Sequence, residues 1–309
     1  MCALEVEAEG VSYTVDTLRT LGKKHEGAAF FLIMGSDMFL TLDSWYEAEE
    51  ILRRATPAVL LRGTREDGKV RDYAAFLRQK FGVESRFVEN AIIEVSSTEL
   101  REKLRGRNGR EMLSDPVYSA IIARRYYGAR PDFEWLREKS YAMVLPRRVP
   151  HIKGCEEEAV RLARHWGADE EEARESAILH DMTKYFSLPD QLRVLDEYGM
   201  MADEIERKDA KLLHSKTAAA IARARFGVSE SVYNAIMWHT TGRPGMSLLE
   251  KIIYMADYIE PTRDFEGVDN LRRLSYEDLD EALAEGLRMS IEDMKSRGIV
   301  PHPRTEETL

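Results

Sequence analysis

Strand-like segments occur only ahead of Pro131; beyond it every patterned stretch reads as an amphipathic helix. With 309 residues the chain is long enough for about two domains, and the change of pattern places them. In the first part, "VSYTVDTLRTLGKK" opens with strand-like residues and runs into a helix carrying Leu18 and Leu21. "AAFFLIMGSD" is a short apolar run stopped at Gly35, which suits a buried parallel strand. "SWYEAEEILRRA" is helical, "TPAVLLRGT" is strand-like, and "VRDYAAFLRQKFG" is a helix closed by Gly82. "SRFVENAIIEV" then leads into "SSTELREKLRG". This alternation predicts a doubly wound α/β domain over residues 1–130. From 131 to 309, segments such as "CEEEAVRLARHWGAD", "LLHSKTAAAIARARFG" and "SLLEKIIYMADYIEP" end at Gly or Pro and predict an all-α domain. The boundary is expected between Gly128, which closes one helix, and Pro131, which precedes the next.

The net charge of −10 argues against non-specific nucleic-acid binding, which needs a broad basic surface. An anionic ligand would have to be drawn in locally, by a metal or a few arginines. Two cysteines, Cys2 and Cys155, allow neither a disulfide framework nor a thiolate zinc site. The longest apolar run, Ala28 to Met34, is far short of the roughly 20 residues that a membrane span needs. No basic-then-apolar leader is visible at the start, so a cytoplasmic protein without membrane partners is expected.

Within the helical part, "AILHDMTKYF" sets His180 and Asp181 side by side after an apolar run. Neighbours on a helix point about 100° apart, yet a group lying over the surface between them, such as a metal ion, could be reached by both. His151 opens a helix in "RVPHIKGCEEEA", His214 follows two leucines, and His239 ends the apolar "AIMWHTTG". Asp257 lies inside the almost wholly apolar "KIIYMADYIEP", where an ionised carboxylate is costly unless a cation or strong donors compensate it. Each has an ordinary alternative: a histidine can pack or cap a helix, and Asp257 could pair with Lys251 or Arg263. Together they put four imidazoles and two carboxylates on five helical segments. His25, His165 and His302 lack such a setting and are read as surface residues.

The order His, His-Asp, His, His, Asp resembles the HD superfamily of metal-dependent phosphohydrolases. "ILHDMTKYF", "LLHSKTAA" and "MWHTTGRPGMSLLEKIIYMADYIEPTRDFEGV" are most similar to the bacterial branch that splits diadenosine tetraphosphate into two ADP. The similarity runs from about 132 to 300. It implies that His151, His180, Asp181 and Asp257 hold one divalent ion, and that His214 and His239 hold a second, with Asp181 bridging. Imidazole and carboxylate ligands without sulfur suit iron, and also manganese, cobalt or nickel. Asp181, Lys184 and Arg263 are the expected catalytic residues, the two cations reaching the polyphosphate. Thr240 and Thr241 follow a ligand directly. The expected partner is a small dinucleoside polyphosphate, and a homodimer is compatible with this reading. Another HD nucleotide phosphohydrolase is the alternative, because ligand spacing specifies metals and not the base.

"EGVSYTVDTLRTL", "FFLIMGSDMFLTLDSWYEAEEIL" and "IIEVSSTELREKLRG" resemble blocks of nicotinate mononucleotide adenylyltransferase, from about residue 5 to 128. Ser96 and Glu99 have capping-box spacing, so the helix start there could bind phosphate. The resemblance implies ATP contacts for Ser97, Thr98 and Arg101, and contacts on the nicotinate side for Thr14, Trp45 and Tyr46. That family works through an H-x-G-H motif on a glycine-rich loop, and no H-x-G-H occurs in these residues. An incomplete Rossmann-like nucleotidylyltransferase domain, from a truncated gene model or by decay, is therefore expected, without adenylyl transfer by residues 1–309. A full-length bifunctional parent making NAD is the further alternative.

Overall fold

The structure is a computed structural model describing residues 4–5, 10–61, 67–89 and 96–309. It divides into two compact units, Met1–Ser96 and Ser97–Leu309. The first holds helices α1 (Thr14–Lys24), α2 (Ser36–Phe39), α3 (Ala48–Arg54) and α4 (Asp67–Phe81), with strands β1 (Phe30–Gly35), β2 (Ala55–Leu60) and β3 (Arg86–Val88). The strands are parallel in the order β1-β2-β3, Phe30 pairing with Ala55 and Ala58 with Arg86. This bears out the expected α/β alternation. The apolar β2 is buried along most of its length, whereas Phe31 and Ile33 of β1 are 51% and 73% exposed. Residues 11–13, expected to be strand-like, pair with no strand among the described residues, and α1 starts directly after them. The strand-like stretch at 91–95 lies outside the described residues.

The second unit is helical throughout its described residues: α5 (Ser97–Arg105), α6 (Asp115–Ala123), α7 (Phe133–Tyr141), α8 (Val149–Trp166), α9 (Glu170–Leu179), α10 (Leu188–Glu197), α11 (Ala210–Phe226), α12 (Glu230–Trp238), α13 (Leu248–Ile259), α14 (Val268–Glu277), α15 (Leu279–Ser296) and α16 (Pro303–Thr308). It begins well ahead of the boundary expected near residue 130. The reason is packing: Leu104 of α5 and Tyr118 and Ile122 of α6 are fully buried in the core of this unit. Tyr118 meets Trp135 edge-on at 5.1 Å, and Trp135 meets Phe226 at 5.4 Å, favourable aromatic geometry beyond simple burial. Amphipathic helices that follow strands look like crossover helices in sequence, and only this core shows that α5 and α6 are not.

Four helices that carry or precede a candidate ligand begin at a capping side chain. Asp169 accepts from the amides of Glu171 and Glu172 ahead of α9, Asp209 from Lys211 ahead of α11, and Ser229 from Val232 ahead of α12. Ser247 and Glu250 form a complete capping box on α13. Each such cap stabilises its helix by about 1 kcal/mol and sets where the far end of the helix, with its ligand, must lie.

Candidate metal centre

Helices α8, α9, α11, α12 and α13 bring His151, His180, Asp181, His214, His239 and Asp257 into one cluster. His151 lies in the first turn of α8, and Asp257 near the end of α13. His180 and His239 are the residues that close α9 and α12, and His214 points inward from α11. All four imidazoles are buried, and Asp181 has no exposed surface. His151, Cys155, His180 and Asp257 each offer an atom within 4.8 Å of one another, as do His180, Asp181 and His239.

The hydrogen bonds settle which ring nitrogens face inward. His180, His214 and His239 each place Nδ1 within 2.6–2.7 Å of a backbone carbonyl three residues earlier, on Ala177, Lys211 and Ile236. A carbonyl only accepts, so Nδ1 carries the hydrogen, and in the neutral ring Nε2 presents a lone pair to the cluster. His214 is kept neutral, its pKa driven from 6.5 to about 3 by burial and then by the Lys184 charge. Burial lowers that of His239 as well. Their two Nε2 atoms nevertheless stand 3.0 Å apart. Asp181 Oδ1 lies 3.1 Å from His214 Nε2, again acceptor against acceptor. Among the described residues, Asp181 Oδ1 and His180 Nε2 are buried without a hydrogen-bond partner, which costs about 1–3 kcal/mol each unless another group compensates it. Converging lone pairs call for a cation. Two nitrogens held about 2.1 Å from one ion at a right angle would lie about 3.0 Å apart, so the donor set fits a metal.

Asp181 divides its carboxylate between two groups of histidines. Oδ1 faces His214 at 3.1 Å and His239 at 3.8 Å. Oδ2 faces His180 at 3.5 Å and His151 at 3.8 Å. Burial alone would raise its pKa, but His180 and Lys184 outweigh that and hold it well below the ordinary carboxylate range. Asp257 is held low in the same way, its burial outweighed by His151, whose Nε2 lies 3.1 Å away, and then by His180. His180 shows the converse: burial would lower its pKa, but Asp181 and Asp257 raise it.

Three cations rim the cluster. Lys184 Nζ is 3.1 Å from His214 Nε2 and 3.5 Å from Asp181 Oδ1. Arg263 pairs with Asp257 at 2.7 Å, while Lys251 turns away to Asp280, which decides between the two partners open in the sequence. Arg148, which sequence reasoning missed, donates to Asp181 Oδ2 and lies 3.9 Å from Asp257. Its one signal in the sequence is its place a turn ahead of His151. Thr240 Oγ1 lies 3.5 Å from His214 Nε2, whereas the hydroxyl of Thr241 turns to the carbonyl of Gly242. Cys155 Sγ sits 3.3 Å from His151 Nε2, and burial, then the Asp257 charge, push its thiol well above the ordinary range. His302 corrects the surface reading: it is buried and bonds Asp203 at 2.9 Å.

The other expected contacts fall in different units. Ser97, Thr98 and Arg101 open α5 of the helical unit, all exposed, with Arg101 over the ring of Tyr127 at 4.6 Å. Thr14, Trp45 and Tyr46 belong to the α/β unit, where Tyr46 packs at a tilt against Tyr13, next to Thr14, with ring centroids 4.6 Å apart. Trp45 instead bonds Thr41 at 3.3 Å and packs on the core of that unit.

A helical domain with two histidine groups joined by one His-Asp pair is the architecture of an HD hydrolase, and the HD domain model matches residues 148–262. The protein of Bacillus subtilis (strain 168) named bis(5'-nucleosyl)-tetraphosphatase, symmetrical, is 38% identical over 157 residues, covering 49% of this chain and 84% of that one. Its namesake in Halalkalibacterium halodurans is 38% identical over 177 residues, 56% of this chain and 94% of that protein. A solved structure described as a predicted HD superfamily hydrolase involved in NAD metabolism, from Clostridium acetobutylicum, is 35% identical, with a TM-score of 0.56 over 58% of this chain and 96% of that one. The chain belongs to this family of bacterial HD-domain hydrolases. It is also similar to a probable nicotinate-nucleotide adenylyltransferase of Halalkalibacterium halodurans, 36% identical over 110 residues, or 34% of this chain and 45% of that protein. The fusion expected from the sequence is thereby shown. No helix among the described residues is long and apolar enough to cross a membrane.

Proposed function

We propose that the helical unit hydrolyses dinucleoside tetraphosphates at the central phosphoanhydride, releasing two nucleoside diphosphates, with diadenosine tetraphosphate as substrate. The observation that carries this reading is Asp181, with one oxygen turned to each histidine group and, among the described residues, its own Oδ1 and His180 Nε2 buried there without a hydrogen-bond partner. His151, His180, Asp181 and Asp257 would hold one divalent ion, and His214, His239 and Asp181 a second; iron, manganese, cobalt and nickel suit these donors. Such ions supply Lewis acidity and lower the pKa of water toward neutrality. The protein adds orientation and charge. Lys184, Arg148 and Arg263 ring the cluster and are free to exchange their carboxylate contacts for phosphoryl oxygens, neutralising a substrate of high negative charge. In a chain of net charge −10 these cations are the local attraction that an anion requires.

The names of the relatives support the symmetrical cut. Cleavage at the centre requires Lys184, Arg148 and Arg263 to grip the polyphosphate so that the second phosphorus from one adenosine faces the centre. The test is hydrolysis of a dinucleotide panel by metal-reconstituted protein in ¹⁸O water, with the products separated. The expected result is two ADP from diadenosine tetraphosphate, one of them labelled. ATP with AMP as the early products would refute the symmetrical cut and leave the metal reading in place.

A further inference from the structure

We infer that Glu260 is a positioning residue for the ligand His151, setting the strength of the divalent-cation site formed by His151, His180, Asp181 and Asp257. The inference rests on reading the cluster as a metal centre. Three of its histidines hold their Nδ1–H on backbone carbonyls; His151 alone gives it to a carboxylate, Glu260 Oε1 at 3.0 Å. Glu260 has no exposed surface. It also accepts from the amide of Thr262 at 2.6 Å and from the hydroxyl of the same residue, and Arg263 Nε lies 3.7 Å away. A buried carboxylate is costly unless held in this way, so its place against His151 is built and not incidental.

Gly154 shows what admits it. This glycine lies inside α8, nearly a turn beyond His151, and a Cβ there would strike the Glu260 carboxylate and come within 3.3 Å of Pro261 Cδ. A glycine in a helix interior costs about 1 kcal/mol relative to alanine, and here it opens the slot through which Glu260 reaches the ring. Asp257 and Glu260 are three residues apart, on the last turn of α13 and at its end. They grip opposite edges of the same imidazole, at Nε2 and Nδ1. A carboxylate on Nδ1 locks the tautomer and ring plane and makes Nε2 a stronger donor, and removing such a partner costs typically about 10–100-fold in metal affinity. The neutral carbonyls behind His214 and His239 do this less.

Chelated protein is titrated with Co²⁺, following heat and the cobalt visible absorption, for wild type and the Glu260→Ala, Glu260→Gln and Gly154→Ala variants, with folding checked by circular dichroism. Glu260→Ala is expected to weaken one of two cobalt ions about 10–100-fold and leave the other unchanged. Glu260→Gln, which keeps shape and an acceptor, is expected to rescue part of the loss. Gly154→Ala, which pushes the carboxylate aside, is expected to weaken the same ion. Unchanged cobalt binding in a folded Glu260→Ala variant, with only a lower melting temperature, would reduce Glu260 to a strut between α8 and α13 and overturn the proposal. A wild-type protein that binds no cobalt would overturn the metal reading and this one with it.

Discussion

Changing Asp181→Asn removes one negative charge and almost no volume, which makes it the sharpest test of a shared ligand. The four histidine Nε2 atoms lie between 3.1 and 3.8 Å from one or the other Asp181 oxygen. A cation among those nitrogens is therefore within about 4 Å of the carboxylate, where a unit charge pair is worth about 4 kcal/mol at an effective dielectric of about 20. Losing it should weaken each of two ions by at least about 4 kcal/mol, or about 10³-fold in affinity. The opposing effect is small: neutralising Asp181 releases Arg148 and Lys184, which pair with it in the absence of ions, but both stand at the rim with room to turn to solvent or substrate. Metal content after gel filtration, measured by plasma mass spectrometry alongside turnover, is the assay. A variant that retains two ions per chain and turns over within tenfold of wild type would refute the bridging role of Asp181.

Further outcomes follow from single contacts. His239→Ala should retain one ion per chain and His151→Ala should weaken only the other, as metal analysis of the two side by side would show. Lys184→Ala and Arg148→Ala should keep normal metal content yet lower kcat/KM by about 10–100-fold, since charge-assisted contacts are worth about 1.5–3 kcal/mol. Loss of metal in either would show that they support the ligands instead. Gly227→Ala should destabilise the helical unit by about 1–3 kcal/mol, because Gly227 has φ +56° and a Cβ there would run into the carbonyl of Ile122. Its melting temperature should fall by about 2–4 °C per kcal/mol. In chelated protein, His214 titrates near 3 when folded but at its ordinary 6.5 when unfolded. Between those values the unfolded chain binds the extra proton, so its stabilising contribution is present above 6.5 and is lost as pH falls toward 3. Urea midpoints measured across that range should drop in wild type and drop less in His214→Gln; equal slopes would contradict it.

How much of this was legible beforehand depends on which physical fact each residue expresses. The clustering of the candidate ligands was legible because each is a polar group placed where a helix buries its apolar face: His180 after "AIL", His214 after "LL", Asp257 within "IIYMADYI". Burying such groups needs compensation, so their number alone pointed to a shared partner. Arg148 and Glu260 were not legible, since charged residues at helix ends are ordinary until two helices meet. The contact of α8 with the end of α13, admitted by Gly154, is a tertiary event with no periodicity of its own. His302 was misread for the same reason, its burial depending on Asp203 a hundred residues away. The division at Ser96 was hidden because α5 and α6 carry the same amphipathic pattern whether they cover a sheet or join a bundle. What the fold adds to the list of ligands is direction. Three carbonyls, on Ala177, Lys211 and Ile236, turn the lone pairs of three histidines onto one carboxylate. Acceptors so arranged repel one another until a cation lies between them, and that convergence, which no residue list contains, argues for a metal more strongly than the histidines themselves.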